Sequence, residues 1–197
     1  MFFLTHPLDL QLFLLINQHW RWAPFDVMMP IISSKVVMLS VMALLCAAAV
    51  AWRGKRQAAF FVILAVGMAA SDMATNVVKK EINRVRPLNA VAETHHQAQG
   101  FWEQRPGDFV RTKETGRSYP SAHSSNSMAF AVLAILLWPG LKKWPLLLPL
   151  SIGYSRIYLG KHYPTDVLAG WAFGFVVACA VWLVWKYGIR PRLTGWN

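Results

Sequence analysis

The stretch T-D-V-L-A-G-W-A-F-G-F-V-V-A-C-A-V-W-L-V-W-K-Y, residues 165–187, is apolar along almost its whole length. A helix needs about 20 mostly apolar residues to cross a bilayer. Three other runs meet this requirement, and a fourth, Trp144–Gly160, is slightly short. The three full-length runs are Val27–Trp52, Gln57–Val78 and Ala122–Trp138. The sequence therefore predicts an all-α fold, an integral membrane helical bundle of five spans.

The composition agrees with a membrane protein that forms one domain over residues 1–197. Apolar residues make up 55% of the chain and charged residues only 15%, with ten tryptophans, which is typical of multi-span membrane proteins. The formal charge of +11 is spread among loops that flank the spans. Because the chain has no nucleic-acid-binding motif, we predict no nucleic-acid partner. Cys46 and Cys179 lie in apolar runs, which argues against a disulfide framework or a zinc site.

The N-terminal segment Leu8–Trp20 is too short to span the bilayer comfortably. Its leucines and its phenylalanine suit a helix that lies in the membrane interface. We therefore predict an interfacial helix here, with a sixth span as the alternative. The first residues have neither a basic region nor a cleavage site, so we do not expect a removable signal peptide.

Five spans distribute the loops between two faces of the membrane. One face carries the short segments W-R-G-K-R-Q (52–57) and P-G-L-K-K-W (139–144) and the C-terminal tail, with eight basic residues in all. The positive-inside rule places this face in the cytoplasm. The other face carries the N-terminus, the loop 79–121 and the turn 161–165. We predict that it faces the periplasm or the cell exterior, with the protein in the cytoplasmic (inner) membrane.

Three groups of polar residues lie on this predicted outer face. The second span ends in K-K-E-I-N-R-V-R-P (79–87), the third begins with Y-P-S-A-H (119–123), and the fourth and fifth are joined by S-R-I-Y-L-G-K-H-Y-P-T-D (155–166). Each has an ordinary structural explanation, because basic residues anchor span ends in headgroups and a serine before a helix is a frequent N-cap. Since the span count brings all three to one face, we favour a shared functional site.

Together the three groups have the chemistry of a phosphate site. Lys79, Arg86 and Arg156 neutralise phosphate oxygens, and arginines suit bidentate contacts. The Ser121 hydroxyl and the backbone N–H groups at the start of the third span, Ala122 first, add donors where the helix dipole favours an anion. We therefore assign these five residues to substrate binding.

Two histidines and an aspartate complete the predicted site. His162 is the nucleophile that attacks phosphorus in line, oriented by Asp166, and His123 stands opposite and protonates the leaving oxygen. Water then hydrolyses the phosphohistidine, with His123 acting as base. The cations stabilise charge on the transferring group, and the sequence has no carboxylate cluster suited to Mg²⁺. We therefore predict catalysis without a metal or another cofactor.

The motifs K-x6-R-P, P-S-A-H and S-R-x5-H-x3-D resemble the three signature motifs of the type 2 phosphatidic acid phosphatase superfamily, over residues 79–166. The resemblance implies a membrane phosphatase, commonly of six helices, with the residue roles assigned above. One departure is Ala122, where the family commonly has glycine in P-S-G-H. The backbone N–H remains at that position, so we expect a small effect unless a positive φ is required.

Other polar residues surround the motifs. Asp72 shares a helical face with Lys79, and because intramembrane charge usually faces a protein interior or a wet cavity we favour a structural role for it over substrate contact. The loop 88–118 is long enough to be a functional lid, with Phe101 and Trp102 entering the membrane interface; the alternative is a solvated loop docked on the membrane. Its arginines are candidates for contact with a phosphorylated headgroup: Arg105, Arg111 and Arg117.

These features predict a membrane lipid phosphatase that hydrolyses a phosphate monoester or pyrophosphate of a lipid. The preferred reaction is undecaprenyl pyrophosphate to undecaprenyl phosphate, a choice that rests on family analogy and sidedness. The alternative substrates are phosphatidate, phosphatidylglycerophosphate and lipid A 1-phosphate, and a lipid phosphotransferase is open as well. A transporter is the alternative from another class. The lack of an inverted repeat argues against it, and the sequence leaves the oligomeric state open.

Overall fold

A computed structural model of the protein describes residues 5–193. Within that range the chain forms seven α-helices and one two-stranded sheet. The helices are α1 (Pro7–Leu14), α2 (Ala23–Ile32), α3 (Lys35–Arg53), α4 (Arg56–Ile82), α5 (Ala122–Leu137), α6 (Leu147–Tyr158) and α7 (Pro164–Leu183). The strands are β1 (His95–Ala98) and β2 (Phe101–Gln104). α1 and α7 continue as π-helical segments, Leu15–His19 and Val184–Ile189.

Three helical stretches of the described chain are long and apolar enough to cross a membrane: Lys35–Arg53, Arg56–Asn89 and Pro164–Arg192. The apolar helices α2 and α5 are shorter, and α6 has only 12 residues. The predicted class, a helical membrane protein, is therefore confirmed. The count of five spans stays a prediction.

The predicted span Val27–Trp52 is wrong as a single helix, because the chain breaks at Ser33 and Ser34. Ser34 is the N-cap of α3 and its hydroxyl accepts a hydrogen bond from the backbone N–H of Val37 at 3.5 Å. Serine competes with the helix for backbone hydrogen bonds and so favours helix ends. The break leaves α2 and α3 as separate helices and puts the buried Ser33 side chain between them.

The N-terminal helix packs against the protein through a partly polar face. α1 and its π-helical continuation cover thirteen residues, fewer than the about 20 that a span requires. Its buried residues are Asp9, Phe13 and Asn17, which recur at every fourth position. The Asn17 side-chain amide donates hydrogen bonds to the carbonyls of His95, at 2.9 Å, and of Tyr158, at 2.8 Å. The segment thus links β1 to the end of α6.

The all-α prediction missed the β-hairpin within the loop 88–118. β1 and β2 pair antiparallel across Gln99 and Gly100, which both have positive φ, 50° and 89°, as two-residue hairpin turns of type I′ require. The hairpin is docked on the bundle because the Trp102 indole N–H donates to the carbonyl of Asp26 at 3.0 Å. Trp102 therefore faces the protein, contrary to the prediction that it enters the interface, whereas Phe101 is 76% exposed.

The packing of α5 on α7 positions the two halves of the site. A Cβ added at Gly174 would lie 2.1 Å from the carbonyl oxygen of Ser125, and one at Gly170 would lie 2.5 Å from that of Ser121. The absence of side chains at these glycines lets the two helix backbones approach closely. The backbone N–H of Ser121 consequently reaches the carbonyl of Asp166 at 2.8 Å, which fixes the start of α5 beside the start of α7.

Candidate active site

One cavity of about 420 Å³ brings together most of the predicted site residues. Six of the eight line it: Lys79, Arg86, Ala122, His123, Arg156 and His162. They come from three regions that lie far apart in the sequence, so their meeting is a product of the fold. Four further polar residues line the same cavity: Lys35, Asp72, Asn76 and Asn126.

His162 lies in the turn between α6 and α7, with its ring backed by a carboxylate. The side chain is 1% exposed, and its Nδ1 is 3.5 Å from Oδ2 of Asp166. The backbone N–H of His162 donates to the carbonyl of Arg156 at 3.3 Å, which ties the turn to the end of α6. With Nδ1 facing Asp166, Nε2 is the ring nitrogen left for chemistry at the cavity.

The Asp166 carboxylate is held by groups from three parts of the chain. Its Oδ2 accepts hydrogen bonds from the Ser118 hydroxyl at 2.6 Å and the backbone N–H of Tyr163 at 2.9 Å. Its Oδ1 accepts one from Nη1 of Arg84 at 2.7 Å. Asp166 is fully buried, and these contacts favour its ionised form in an apolar surrounding.

Burial lowers the pKa of His162 to about 4, and the positive charge of Arg156 acts in the same direction. The hydrogen bond and the charge of Asp166 oppose this shift. The imidazole is therefore neutral near pH 7, which is the form that a nucleophile requires. Next to it, burial and the charges of Arg156 and Arg86 lower the pKa of Lys161 to about 8.

Two of the predicted phosphate-binding cations are nearly buried. Arg156 is 5% exposed, and its Nη1 donates to the hydroxyl of Ser33 at 3.1 Å. Lys79 is 7% exposed and lies in the last turns of α4. Arg86 follows that helix, just before the buried Pro87. Positive groups withdrawn from water in this way bind a phosphate more strongly than exposed ones, because solvent screens them less.

Ser121 does not line the cavity, and its hydroxyl caps α5 instead. The hydroxyl oxygen accepts hydrogen bonds from the backbone N–H of Ser124 at 3.4 Å and from the Ser124 hydroxyl at 2.9 Å. The Ser121 side chain therefore acts as a helix N-cap, which was the structural explanation of the motif Y-P-S-A-H. Ala122 and His123 are the first two residues of α5 and do line the cavity, where the first N–H groups of a helix lack helical acceptors.

Asp72 organises the polar face of α4, as the sequence predicted. Its Oδ2 accepts a hydrogen bond from the Asn76 side chain at 2.9 Å, and its Oδ1 accepts one from the Asn126 side chain at 3.4 Å. Both asparagines line the cavity. The carboxylate therefore connects α4 to α5 at the wall of the site.

Among the three loop arginines, Arg117 is the one that reaches a cavity residue, since its Nη2 donates to the Asn76 side chain at 3.5 Å. Arg105 donates to the carbonyl of Leu88 at 2.9 Å, and Arg111 to that of Lys113 at 2.6 Å. The latter two arginines hold the loop itself. Part of the loop 88–118, which was predicted to be a lid, is thus a structural unit packed beside the site.

Sequence reasoning missed five residues that the structure places around the site: Asp9, Ser33, Arg84, Ser118 and Asn126. Arg84 lies inside the first motif, where it reads as one more basic residue at a span end. The serines carry no signal of their own in the sequence. The role of Arg84 at the site becomes visible only in the structure, where it pairs with a carboxylate of a distant segment.

Comparison with known proteins gives the family. A family model described as the PAP2 superfamily matches residues 60–190, about two thirds of the chain. The chain belongs to the PAP2 superfamily. This membership confirms the resemblance carried by the three motifs.

Individual relatives with similar sequences carry the names of phosphatases. The chain is 32% identical over 115 residues to a lipid A 1-phosphatase of Rhizobium johnstonii, covering 58% of this chain and 41% of that protein. It is 28% identical over 194 residues to a putative undecaprenyl-diphosphatase of Escherichia coli K12, covering 96% of this chain and 90% of that protein. The match thus spans less than half of the first relative and most of the second.

The fold is also that of a solved structure. The crystal structure of Aquifex aeolicus LpxE superposes with a TM-score of 0.69 at 22% identity, covering 92% of this chain and 99% of that chain. At this level of identity the likeness establishes the fold alone.

Proposed function

We propose that the protein is a membrane lipid phosphatase that works through a phosphohistidine at His162. The observation that carries the proposal is the single cavity in which His162, backed by Asp166, faces His123 and three cations. A nucleophile, an acid and a set of positive groups around one space are the parts that phosphoryl transfer needs.

The reaction proceeds in two displacements. Lys79, Arg86 and Arg156 bind the phosphate oxygens, and Nε2 of His162 attacks phosphorus as the bond to the lipid oxygen breaks. His123 gives its proton to that leaving oxygen. Water then attacks the phosphohistidine, His123 takes the proton of the water, and release of phosphate restores neutral His162.

Asp166 supports both steps through charge. Its carboxylate faces Nδ1 and stabilises the positive ring that forms when Nε2 bonds to phosphorus. The three cations stabilise the charge that spreads over the transferring group, so the reaction needs neither a metal nor another cofactor.

An apolar groove beside the cavity supports a lipid substrate. Its volume is about 290 Å³, and it shares Met38, Leu39 and Met68 with the phosphate cavity. The rest of its wall is almost entirely apolar and includes Leu45 and Phe130. A phosphate bound by the cations would therefore have its hydrocarbon chain lying between α3 and α5.

The preferred substrate is undecaprenyl pyrophosphate. The putative undecaprenyl-diphosphatase of Escherichia coli is a relative that matches nearly the whole chain. Lys35 also lines the cavity and Lys161 lies next to His162, and these extra charges suit a diphosphate, which is more negative than a monoester. Phosphatidate, phosphatidylglycerophosphate and lipid A 1-phosphate are the alternatives, as is transfer of the phosphate to a second lipid.

The test is phosphate release from a panel of these lipids by purified protein in the presence of EDTA. We expect the parent to form a phosphoenzyme that is stable in base and labile in acid, as a phosphohistidine is, and His162→Ala to form none and to lose nearly all activity. His19→Ala, a matched change at an exposed histidine of the N-terminal segment, serves as the control. Full activity of His162→Ala would exclude the proposed nucleophile. Loss of activity with EDTA that a divalent ion restores would exclude the metal-free mechanism.

A further inference from the structure

A chain of buried charges connects the N-terminal helix to the back of His162. Nη2 of Arg84 is 2.5 Å from Oδ2 of Asp9 in α1, and Nη1 of the same guanidinium is 2.7 Å from Oδ1 of Asp166. The other oxygen of Asp166 is the one that faces His162. Asp9 and Arg84 are each 3% exposed and Asp166 is 0% exposed, so solvent screens these charges little.

Asp9 also holds the start of α7. Its Oδ1 accepts a hydrogen bond from the backbone N–H of Thr165 at 2.8 Å, and its Oδ2 accepts one from the Thr165 hydroxyl at 2.6 Å. The Arg84 guanidinium lies 4.0 Å from the centre of the Tyr163 ring. The residues that follow His162 are therefore held by Asp9, directly at Thr165 and through Arg84 at Tyr163.

The charge count of this network matters for the reaction. Asp9 and Asp166 share one guanidinium, so the group carries a net negative charge while His162 is neutral. That charge remains available to the imidazole when it becomes positive. Without Asp9, Arg84 would neutralise Asp166, and a positive ring at His162 would lose its counter-charge.

We propose that Asp9 is a positioning residue of the reaction, which acts through Arg84 and Asp166 on His162 and makes α1 part of the catalytic machinery. The proposal rests on the proposed function, because it takes His162 as the nucleophile. A merely structural ion pair that holds α1 on the bundle is the alternative that the experiment must separate.

The experiment compares Asp9→Asn, Asp9→Glu and Asp26→Asn in the same lipid phosphatase assay as His162→Ala. Asparagine keeps the shape and the acceptor oxygen of Asp9 but removes its charge. Asp26 is the matched control, because it lies in the next helix and pairs with Arg21, away from Asp166. We expect Asp9→Asn to lower kcat about tenfold with KM within about twofold, Asp9→Glu to retain more activity than Asp9→Asn, and Asp26→Asn to keep the parent kcat.

The pH profile of kcat/KM gives a readout that a structural role would not move. In Asp9→Asn we expect the acid limb to shift to lower pH, because Arg84 then weakens the support of Asp166 for a protonated His162. The other charged or titratable groups around His162 are unchanged between the variants: Arg86, His123, Arg156 and Lys161.

The outcomes are distinguishable. If Asp9→Asn has the parent kcat and pH profile and only a lower melting temperature, Asp9 is structural and the inference is wrong. A change in KM alone would also overturn it. If His162→Ala is active in the same assay, the proposed function fails and the role of Asp9 fails with it.

Discussion

The carboxylate of Asp166 contacts several neighbouring groups at once. One oxygen faces His162 and also accepts from Ser118, while the other accepts from Arg84. The carboxylate therefore has no freedom to rotate without breaking a buried hydrogen bond, and breaking one costs about 1–3 kcal/mol or more for a charged group. The orientation of the His162 ring follows from this fixed partner.

At the same scale, the environment of His162 sets a pH dependence. Because the pKa of the folded protein is lowered from 6.5 to about 4, the folded state binds fewer protons than the unfolded state between these values. The free energy of unfolding therefore decreases as pH falls from about 6.5 to 4. We also expect the acid limb of kcat/KM that reports His162 to lie below pH 5.

Two measurements check this expectation. The melting temperature of the parent should fall on acidification through this range more steeply than that of His162→Phe, which has no group to titrate there. The kcat/KM profile is measured with the ionisation of the substrate phosphate determined separately. An acid limb of the enzyme at pH 6.5 would contradict the burial argument.

Among the elements, the hydropathy of the chain predicted most helices and misplaced their ends. The apolar runs correspond to α4, α5 and α7, since burial in lipid or protein requires such runs. The break between α2 and α3 is invisible to hydropathy, because two serines scarcely change the mean over the run Val27–Trp52. The hairpin was missed because H-H-Q-A and F-W-E-Q lack the alternation of a half-buried strand.

The sequence predicted one part of the site and missed another. Its motif residues could be recognised because they are grouped in short segments, and the span count brought those segments to one face. The contact between Arg84 and Asp9 could not, because 75 residues separate the partners in the chain. An ion pair between distant segments depends on tertiary packing, which no local pattern encodes.

The close packing of α5 on α7 makes a prediction for Gly174. In Gly174→Ala the new Cβ would clash with the carbonyl of Ser125, so the helices must separate at a cost of about 1–3 kcal/mol. The contact of Ser121 with Asp166 would be disturbed as well. We expect a lower melting temperature and at least about a tenfold loss of kcat.

Gly188→Ala is the matched control, because nothing lies within 4 Å of a Cβ placed there. It should leave both the melting temperature and the activity close to those of the parent. A Gly174→Ala protein with unchanged stability and activity would show that the spacing of α5 and α7 is not needed for the site.

For the whole molecule, the distribution of basic residues predicts a sidedness. The segments that end opposite the cavity carry Arg53, Arg56 and Arg190, and the positive-inside rule places them in the cytoplasm. We therefore expect a reporter that works only in the cytoplasm to be active when it is fused to the C-terminus. A reporter that works only outside the cytoplasm should be inactive there. A C-terminal reporter active outside the cytoplasm would reverse the orientation and remove the case for an undecaprenyl substrate.

The loose attachment of α3 has a consequence for how the reaction is measured. Every residue of α3 keeps part of its surface uncovered by protein, and this helix forms one wall of both the cavity and the apolar groove. We therefore expect a lipid substrate to reach the site by diffusing sideways, in two dimensions, without passing through water. For such a substrate KM is expressed as the mole fraction of substrate in the bilayer or micelle, not as a bulk concentration. Adding inert detergent at constant bulk substrate should slow the enzyme by surface dilution.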